Sequence, residues 1–121
     1  MTLPKKINLE DQLAQIDDYF HHRIIADVND FEAKLVKIEG EFIWHHHDEE
    51  DELFLILKGK LRMQFRDGEV VLGPGELIVV PHPMEHRPVA EGEVHLLLIE
   101  RSNTRNTGNV VNDFTTDPVR V

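Results

Sequence analysis

An all-β domain is the fold class this sequence predicts, on three observations. Apolar and charged residues alternate with period two through most of residues 23–101. The apolar runs are short. Turn-forming residues interrupt them at intervals of about 8 to 12 residues, the spacing of an all-β sandwich or barrel. About seven to nine short strands are expected. With 121 residues, 40% apolar and 30% charged, the chain is expected to form one domain, 1–121, with a core of its own.

Residues 1–7 read as an arm. Asn8 is a suitable helix N-cap. Leu9, Leu13, Ile16 and Phe20 then follow at spacings of four, three and four, one helical stripe. A short N-terminal helix over about residues 9–17 is expected, covering one end of the domain. From Arg23 the period changes. Ile24 to Val28 reads as a strand, Asn29-Asp30 as a turn, and Phe31 to Glu39 as a strand of alternating apolar and charged residues. Gly40-Glu41 interrupts, and Phe42 to His47 resumes as a strand. Leu53 to Leu57 is apolar on both faces. If Glu52, Phe54 and Ile56 point inward, the outward Leu53, Leu55 and Leu57 need a cover. A second subunit would supply it, with Trp44 in the same outer patch, so a homodimer is expected.

Lys58-Gly59-Lys60 reads as a turn, and Leu61 to Phe65 as a strand with one wet face. Asp67-Gly68 is a two-residue hairpin signal, with Glu69 to Leu72 returning. Gly73 to Glu76 is a turn, Leu77 to Val80 a buried strand closed by Pro81-His82-Pro83. His86 to Ala90 resumes, Glu91-Gly92 turns, and Val94 to Ile99 is the last long strand. The core barrel thus runs over about residues 23–101. The tail, 102–121, is rich in Asn and Thr and is held by Val110, Val111 and Phe114 against the barrel or a partner.

The chemistry concentrates between Gly40 and Gly59. In an extended strand His45 and His47 point one way and His46 the other. If Asp48 to Asp51 fold the chain back, Glu52 returns to the side of His45 and His47. Two imidazoles and a carboxylate converging on one point make a metal half-site. A fourth ligand must lie elsewhere, and His86 is the candidate. There is no cysteine, so thiolate sites and disulfides are excluded and any metal is held by nitrogen and oxygen. The formal net charge of −10 argues against nucleic acid, whose phosphates would be repelled. No run approaches the roughly 20 apolar residues of a membrane span. The first residues do not read as a secretory signal, and a cytoplasmic location is the expectation.

These residues resemble the cupin superfamily. Its first motif runs Gly, five residues, His, one residue, His, three or four residues, Glu, six residues, Gly. His45, His47, Glu52 and Gly59 match it, with Gly40 one residue closer to the first histidine. Its second motif runs Gly, five residues, Pro, one residue, Gly, two residues, His, three residues, Asn. Gly75, Pro81 and His86 fall in register, Pro83 replaces the glycine and Ala90 the asparagine. The two motifs with the segment between them span about 50 of the 121 residues. The short segment between them is similar to that of small single-domain cupins of the type labelled mannose-6-phosphate isomerase-like. The resemblance implies a jelly-roll β-barrel with His45, His47, Glu52 and His86 around one divalent transition metal ion: Zn, Fe, Mn or Ni. It implies isomerase or dioxygenase chemistry no more than it implies non-catalytic binding, since the fold hosts both.

Beyond that ligand set, interior positions are apolar: Phe54, Ile56, Leu61, Met63 and Phe65. His82, Glu85, Arg87 and His95 are the spare polar groups. Glu85 and Arg87 read as rim or loop residues and His95 as a hydrogen-bonded core histidine. Such an interior suits a small, partly apolar ligand better than a sugar phosphate, which would want several Arg or Lys. Two functions stay open on the residues: a metal-dependent enzyme on a small molecule, or a binding or sensory module.

Overall fold

The computed structural model describes residues 2–121. Helix α1 (Leu9–Leu13) is followed by strands β1 (Arg23–Val28), β2 (Phe31–Glu41), β3 (Glu52–Phe65), β4 (Gly68–Leu72), β5 (Leu77–Val80), β6 (His86–Arg101) and β7 (Val119–Arg120). The strands form one sheet in the order β4-β3-β6-β2-β1-β7, with β5 also paired to β3. β1–β2, β2–β6, β3–β6, β3–β4 and β3–β5 are antiparallel, and only β1–β7 is parallel. The sheet curls into a jelly-roll around an apolar interior without closing its hydrogen-bonded path, so β4, β5 and β7 remain edges.

Alternation along β3 and β6 sets the interior. Phe54, Ile56, Leu61 and Met63 from β3 meet Val94, Leu96 and Leu98 from β6 and Val36 and Ile38 from β2, all at most 5% exposed. Burial of side chains this size stabilises by about 1.5–3 kcal/mol each before entropy is counted. α1 packs on the outside. Its Leu13 joins Ile16 over Leu35 of β2, with Leu57 and Leu97 at the margin. Asn8 caps it, accepting a 2.9 Å hydrogen bond from the Asp11 amide.

Several boundaries differ from the sequence expectation. The helix stops at Leu13; the Gln15 and Ile16 amides then bond to carbonyls three residues back, a tighter turn that still buries Ile16. Lys58–Lys60 and Glu91–Gly92 are not turns. β3 and β6 run through them as long bent strands, with register shifts at Lys58 and Lys60. Gly59 takes φ +89° and Gly92 φ +71° there, which glycine adopts without steric cost. The hairpin after β3 turns on Arg66-Asp67, because Gly68 already pairs with Phe65. Phe42 to His47 is not a strand; it holds one isolated bridge, His45 to His86. The tail wraps this same barrel. Phe114 packs edge-on to Phe20 and Phe42, and β7 pairs with β1, while Val111 is 69% exposed and holds nothing.

Candidate metal centre

Each cluster residue is placed by a different piece of the fold. Glu52 opens β3, between β5 and β6, and faces inward with Phe54 and Ile56. His86 opens β6. His45 is tied to it by two backbone bonds: the His45 amide donates to the His86 carbonyl at 3.0 Å, and the reverse bond is 2.9 Å. His47 follows two residues on, on the same side. The structure brings His45, His47, Glu52 and His86 together, one ligand atom from each, all within 4.8 Å of one another. All four are at most 4% exposed. Pro83, joined to His82 by a cis peptide, does not displace His86.

The ring nitrogens are sorted by their backbone partners. Nδ1 of His45 lies 2.9 Å from the Ile43 carbonyl, and Nδ1 of His86 lies 2.9 Å from the Met84 carbonyl. A carbonyl only accepts, so each Nδ1 carries the proton and donates. In the neutral ring Nε2 is then the lone pair facing the cluster, as an imidazole ligand requires. Nε2 of His47 and of His86 approach Glu52 Oε1 at 2.9 and 3.2 Å, but not in hydrogen-bonding directions. These three atoms are buried without a partner. A buried polar atom left unpaired costs roughly 1–3 kcal/mol, and three of them meet here. A divalent cation between them satisfies all three, so the residues fit one.

Charge states agree with that fit. Burial, with the neighbouring His86 second, pushes His45 down to about 4, so it is neutral near pH 7. Burial alone would raise the Glu52 carboxyl, but the close His47 and His86 rings and Glu100 outweigh it and hold it well below the usual range. Three imidazoles bound as neutral ligands and one carboxylate would leave a divalent ion with a net charge near +1.

Behind Glu52 lies a second group of buried charges. In the register that pairs Leu53 with Ile99 and Glu100 with Glu32, Glu52, Glu100 and Glu32 follow one another across the inner face. Lys34 is the cation among them, with Nζ 2.8 Å from Glu100 and 3.7 Å from Glu32. Lys34 and Glu100 are at most 1% exposed. Burial and the Glu52 charge push the Glu100 carboxyl well above its ordinary value, against the pull of Lys34. Arg120 of β7 caps the row, 3.0 Å from Glu32.

His45 and Glu52 border a cavity whose walls include Phe20, Val36, Ile38, Phe42, Phe54, Leu96 and Leu98. It gives water centres about 40 Å³ of room, enough for a few waters or a very small ligand. Its other polar lining groups are His22 and Asn106. Burial, then Lys34, pushes His22 down to about 3. Asn106 is spent on the tail, donating to the Phe114 carbonyl at 2.8 Å and accepting from the Thr116 amide at 3.1 Å.

The remaining candidates lie elsewhere. His46 points away and pairs with Asp48 at 3.0 Å. His82 pairs with Asp51 at the surface. Glu85 pairs with Arg66, and Arg87 bonds Gln64 and Glu41, both rim roles as expected. Trp44 is capped by the Arg66 and Arg87 guanidinium groups, at 3.8 and 5.2 Å from the ring centre. His95 is not a core histidine: it sits on the outer face beneath α1, 3.6 Å from Glu93. Sequence reasoning missed Lys34, Glu100, His22 and Asn106. Lys34 and Glu100 do carry a signal, since alternation with Leu35 and Ile99 turns both inward.

A curled antiparallel sheet with three histidines and a glutamate buried at one end defines a class, the small metal-site β-barrels. The comparisons make it particular: the cupin domain model matches residues 31–100, and the chain belongs to that family. It is similar to the crystal structure of a cupin-2 domain containing protein from Shewanella frigidimarina NCIMB 400. The identity is 41%, the TM-score 0.78, and 78% of this chain and 93% of that one are covered. Protein NMB1881 from Neisseria meningitidis is 35% identical with a TM-score of 0.73, over 81% of this chain and all of the other (100%). Among curated proteins, "Uncharacterized protein YdbB" of Bacillus subtilis (strain 168) is 41% identical over 64 residues. That match spans 52% of this chain and 57% of the relative, so the chain covers just over half of that relative's length.

Proposed function

We propose that this cupin holds one divalent transition metal ion (Zn, Fe, Mn or Ni) through His45, His47, Glu52 and His86, and acts on a small, mostly apolar molecule beside it. The observation that carries the reading is the convergence of three buried, unpartnered donor atoms, on His47, Glu52 and His86, at one point. When bound, such an ion supplies Lewis acidity for isomerase chemistry or, if redox-active, an electron path to dioxygen. The chain's own residues do the rest. Phe20, Phe42 and Phe54 exclude water and hold an apolar ligand against His45 and Glu52. Among the described residues no Lys or Arg lines the cavity, and the buried Lys34 is spent on Glu100, which disfavours a phosphorylated substrate.

One observation favours a second reading, a non-catalytic binding or sensory module. Of the cavity's polar groups outside the cluster, Asn106 is committed to the tail and His22, pushed down to about 3, is a weak base near pH 7. A general acid or base is therefore scarce.

The test is elemental analysis of untagged protein purified without chelator, beside a His47→Ala/His86→Ala double variant. About one equivalent of a transition metal in the wild type, lost in the variant, supports the site. No metal in either, even after reconstitution, overturns the ligand assignment. Turnover of small carbonyl or aromatic compounds by loaded protein then separates the enzyme from the binding module.

The reading includes a homodimer. Two apolar rows cross the outer face in register, Val79–Leu53–Ile99–Ala33 and Leu77–Leu55–Leu97–Leu35. α1 covers the Leu35 end, while Leu77 and Val79 are 56% and 49% exposed on the edge strand β5. A second copy fits this end, because an apolar row is complementary to itself about a two-fold axis and needs no opposite charge on a chain of net charge −10. A cytoplasmic location is part of the same proposal; no helix among the described residues is long and apolar enough to cross a membrane.

A further inference from the structure

The segment between Glu41 and Glu52 carries two of the four cluster histidines and belongs to no strand. Inside it, the backbone is held at few points. The Phe42 amide bonds the Pro88 carbonyl at 3.0 Å, and His45 pairs with His86. On the opposite side the partner comes from the C-terminal tail. The His46 amide donates to Asn109 Oδ1 at 2.9 Å, and the Asn109 amide donates to the His46 carbonyl at 3.0 Å. Both hydrogen-bonding groups of the residue between His45 and His47 are thus taken by one asparagine.

Gly108 makes that approach possible. A Cβ there would lie 2.1 Å from the His46 carbonyl oxygen and 3.1 Å from the His45 ring, and its φ is +57°. Only glycine fits the gap without moving the histidine segment.

The tail is built to hold this position. Thr107, fully buried, bonds the Val110 carbonyl at 2.5 Å and Thr115 at 2.7 Å. Asn106 ties the strand of tail before Gly108 to the strand after it. Phe114 closes over Phe20 and Phe42, both cavity residues. The far end is fastened by β7 on β1 and by Arg120 on Asp27 and Glu32. Residues 102–117 therefore form a strap across the mouth of the barrel, fixed at both ends and clamped in the middle to His46.

We propose that Asn109 is a positioning residue for the metal centre, and that closure of the strap and metal binding favour one another. This rests on the metal reading above. With the strap closed, His45 and His47 are held in the spacing that brings their ring nitrogens together. With the strap lifted, His46 loses both partners on that edge and His47, next to the acidic turn, loses its fixed direction. Two events that each favour the same backbone arrangement are thermodynamically linked, and the linkage is reciprocal.

The experiment titrates chelator-treated protein with Co(II), read by the visible d–d bands, for the wild type, Asn109→Ala and Asn109→Asp. Aspartate keeps the acceptor for the His46 amide. Asn109→Ala is expected to weaken Co(II) binding roughly 10- to 100-fold, the range for losing a group that orients a ligand, and Asn109→Asp to restore most of it. In parallel, trypsin cleavage after the exposed Arg105 is followed in wild-type protein with and without Co(II), and is expected to slow when the metal is bound. Wild-type protein that binds Co(II) while Asn109→Ala binds it equally well overturns the inference and leaves the metal reading standing. So does cleavage at Arg105 that ignores the metal, and that arm decides alone should Asn109→Ala fail to fold. Wild-type protein that binds no Co(II) overturns the metal reading itself.

Discussion

Acid should destabilise the metal-free protein through two buried histidines, and the slope is countable in protons. His22 and His45 have an ordinary value of 6.5 and are pushed down to about 3 and about 4 in the fold. Between about pH 6 and 5 the unfolded chain holds a proton on each and the folded chain holds neither. Stability depends on pH as 2.303RT times protons bound unfolded minus protons bound folded, about 1.4 kcal/mol per pH unit per proton. The two histidines therefore give a fall of about 2.7 kcal/mol per pH unit on acidification. Glu100 acts with the opposite sign. Burial and the Glu52 charge raise its carboxyl well above 4.5, so over the part of this window below its folded value the folded state holds the extra proton. Over that part the net difference is about one proton and the slope about 1.4 kcal/mol per pH unit; above it the two histidines act alone. Glu100→Gln removes the opposing proton and should steepen the wild-type slope towards about 2.7 kcal/mol per pH unit. Urea unfolding followed through Trp44 fluorescence, with chelator present and m checked for constancy, measures both. A flat wild-type profile, or a Glu100→Gln slope no steeper than the wild type's, refutes the charge states assigned here.

Two further outcomes are expected. At Gly59, φ is +89° and an added Cβ would meet the Glu93 backbone carbonyl oxygen at 2.6 Å, whereas at Gly40, φ +77°, it would meet nothing within 4 Å. Gly40→Ala should thus cost backbone strain alone, about 1 kcal/mol or somewhat more, and Gly59→Ala clearly more, because backbone must move as well; equal losses of Tm would contradict the bulge geometry. Size exclusion with light scattering at micromolar concentration should show a dimer that Leu77→Glu and Val79→Lys dissociate without lowering far-UV ellipticity, and a wild-type monomer would remove the proposed interface.

The cluster was legible because its grammar is mostly local. Alternation alone separates His46 from its neighbours, and Glu52, five residues beyond His47, needs only a reversal of the chain. The bent strands were not legible for the same reason. Lys58-Gly59-Lys60 reads as a turn from its residue types, yet the apolar positions on either side, Ile56 and Leu61, both face the interior. Their odd spacing of five is the mark of a bulge, which shifts the period by one while the strand continues. Phe42 to His47 reads as a strand but is paired only at separate points, Phe42 to Pro88, His45 to His86 and His46 to Asn109, so pattern exceeded pairing.

The charges behind the cluster show where single-strand reasoning ends. Glu32, Lys34 and Glu100 each look like ordinary solvated residues between apolar neighbours. That they face inward follows from the outer face being apolar too: Leu35 and Ile99 take the outside, under the helix and in the outward rows, and force Lys34 and Glu100 into the core. That they lie beside Glu52 follows only from the register joining β3, β6 and β2, which no one strand encodes. The consequence is functional. A lone Glu52 beside three imidazoles would gain its low proton affinity from the cluster alone. With Glu100 next to it, the pair shares a burden of negative charge that Lys34 half neutralises, and the proton goes to Glu100. The carboxylate that faces the histidines is held ionised, against its burial, by His47, His86 and Glu100 together, in the state a metal ligand needs.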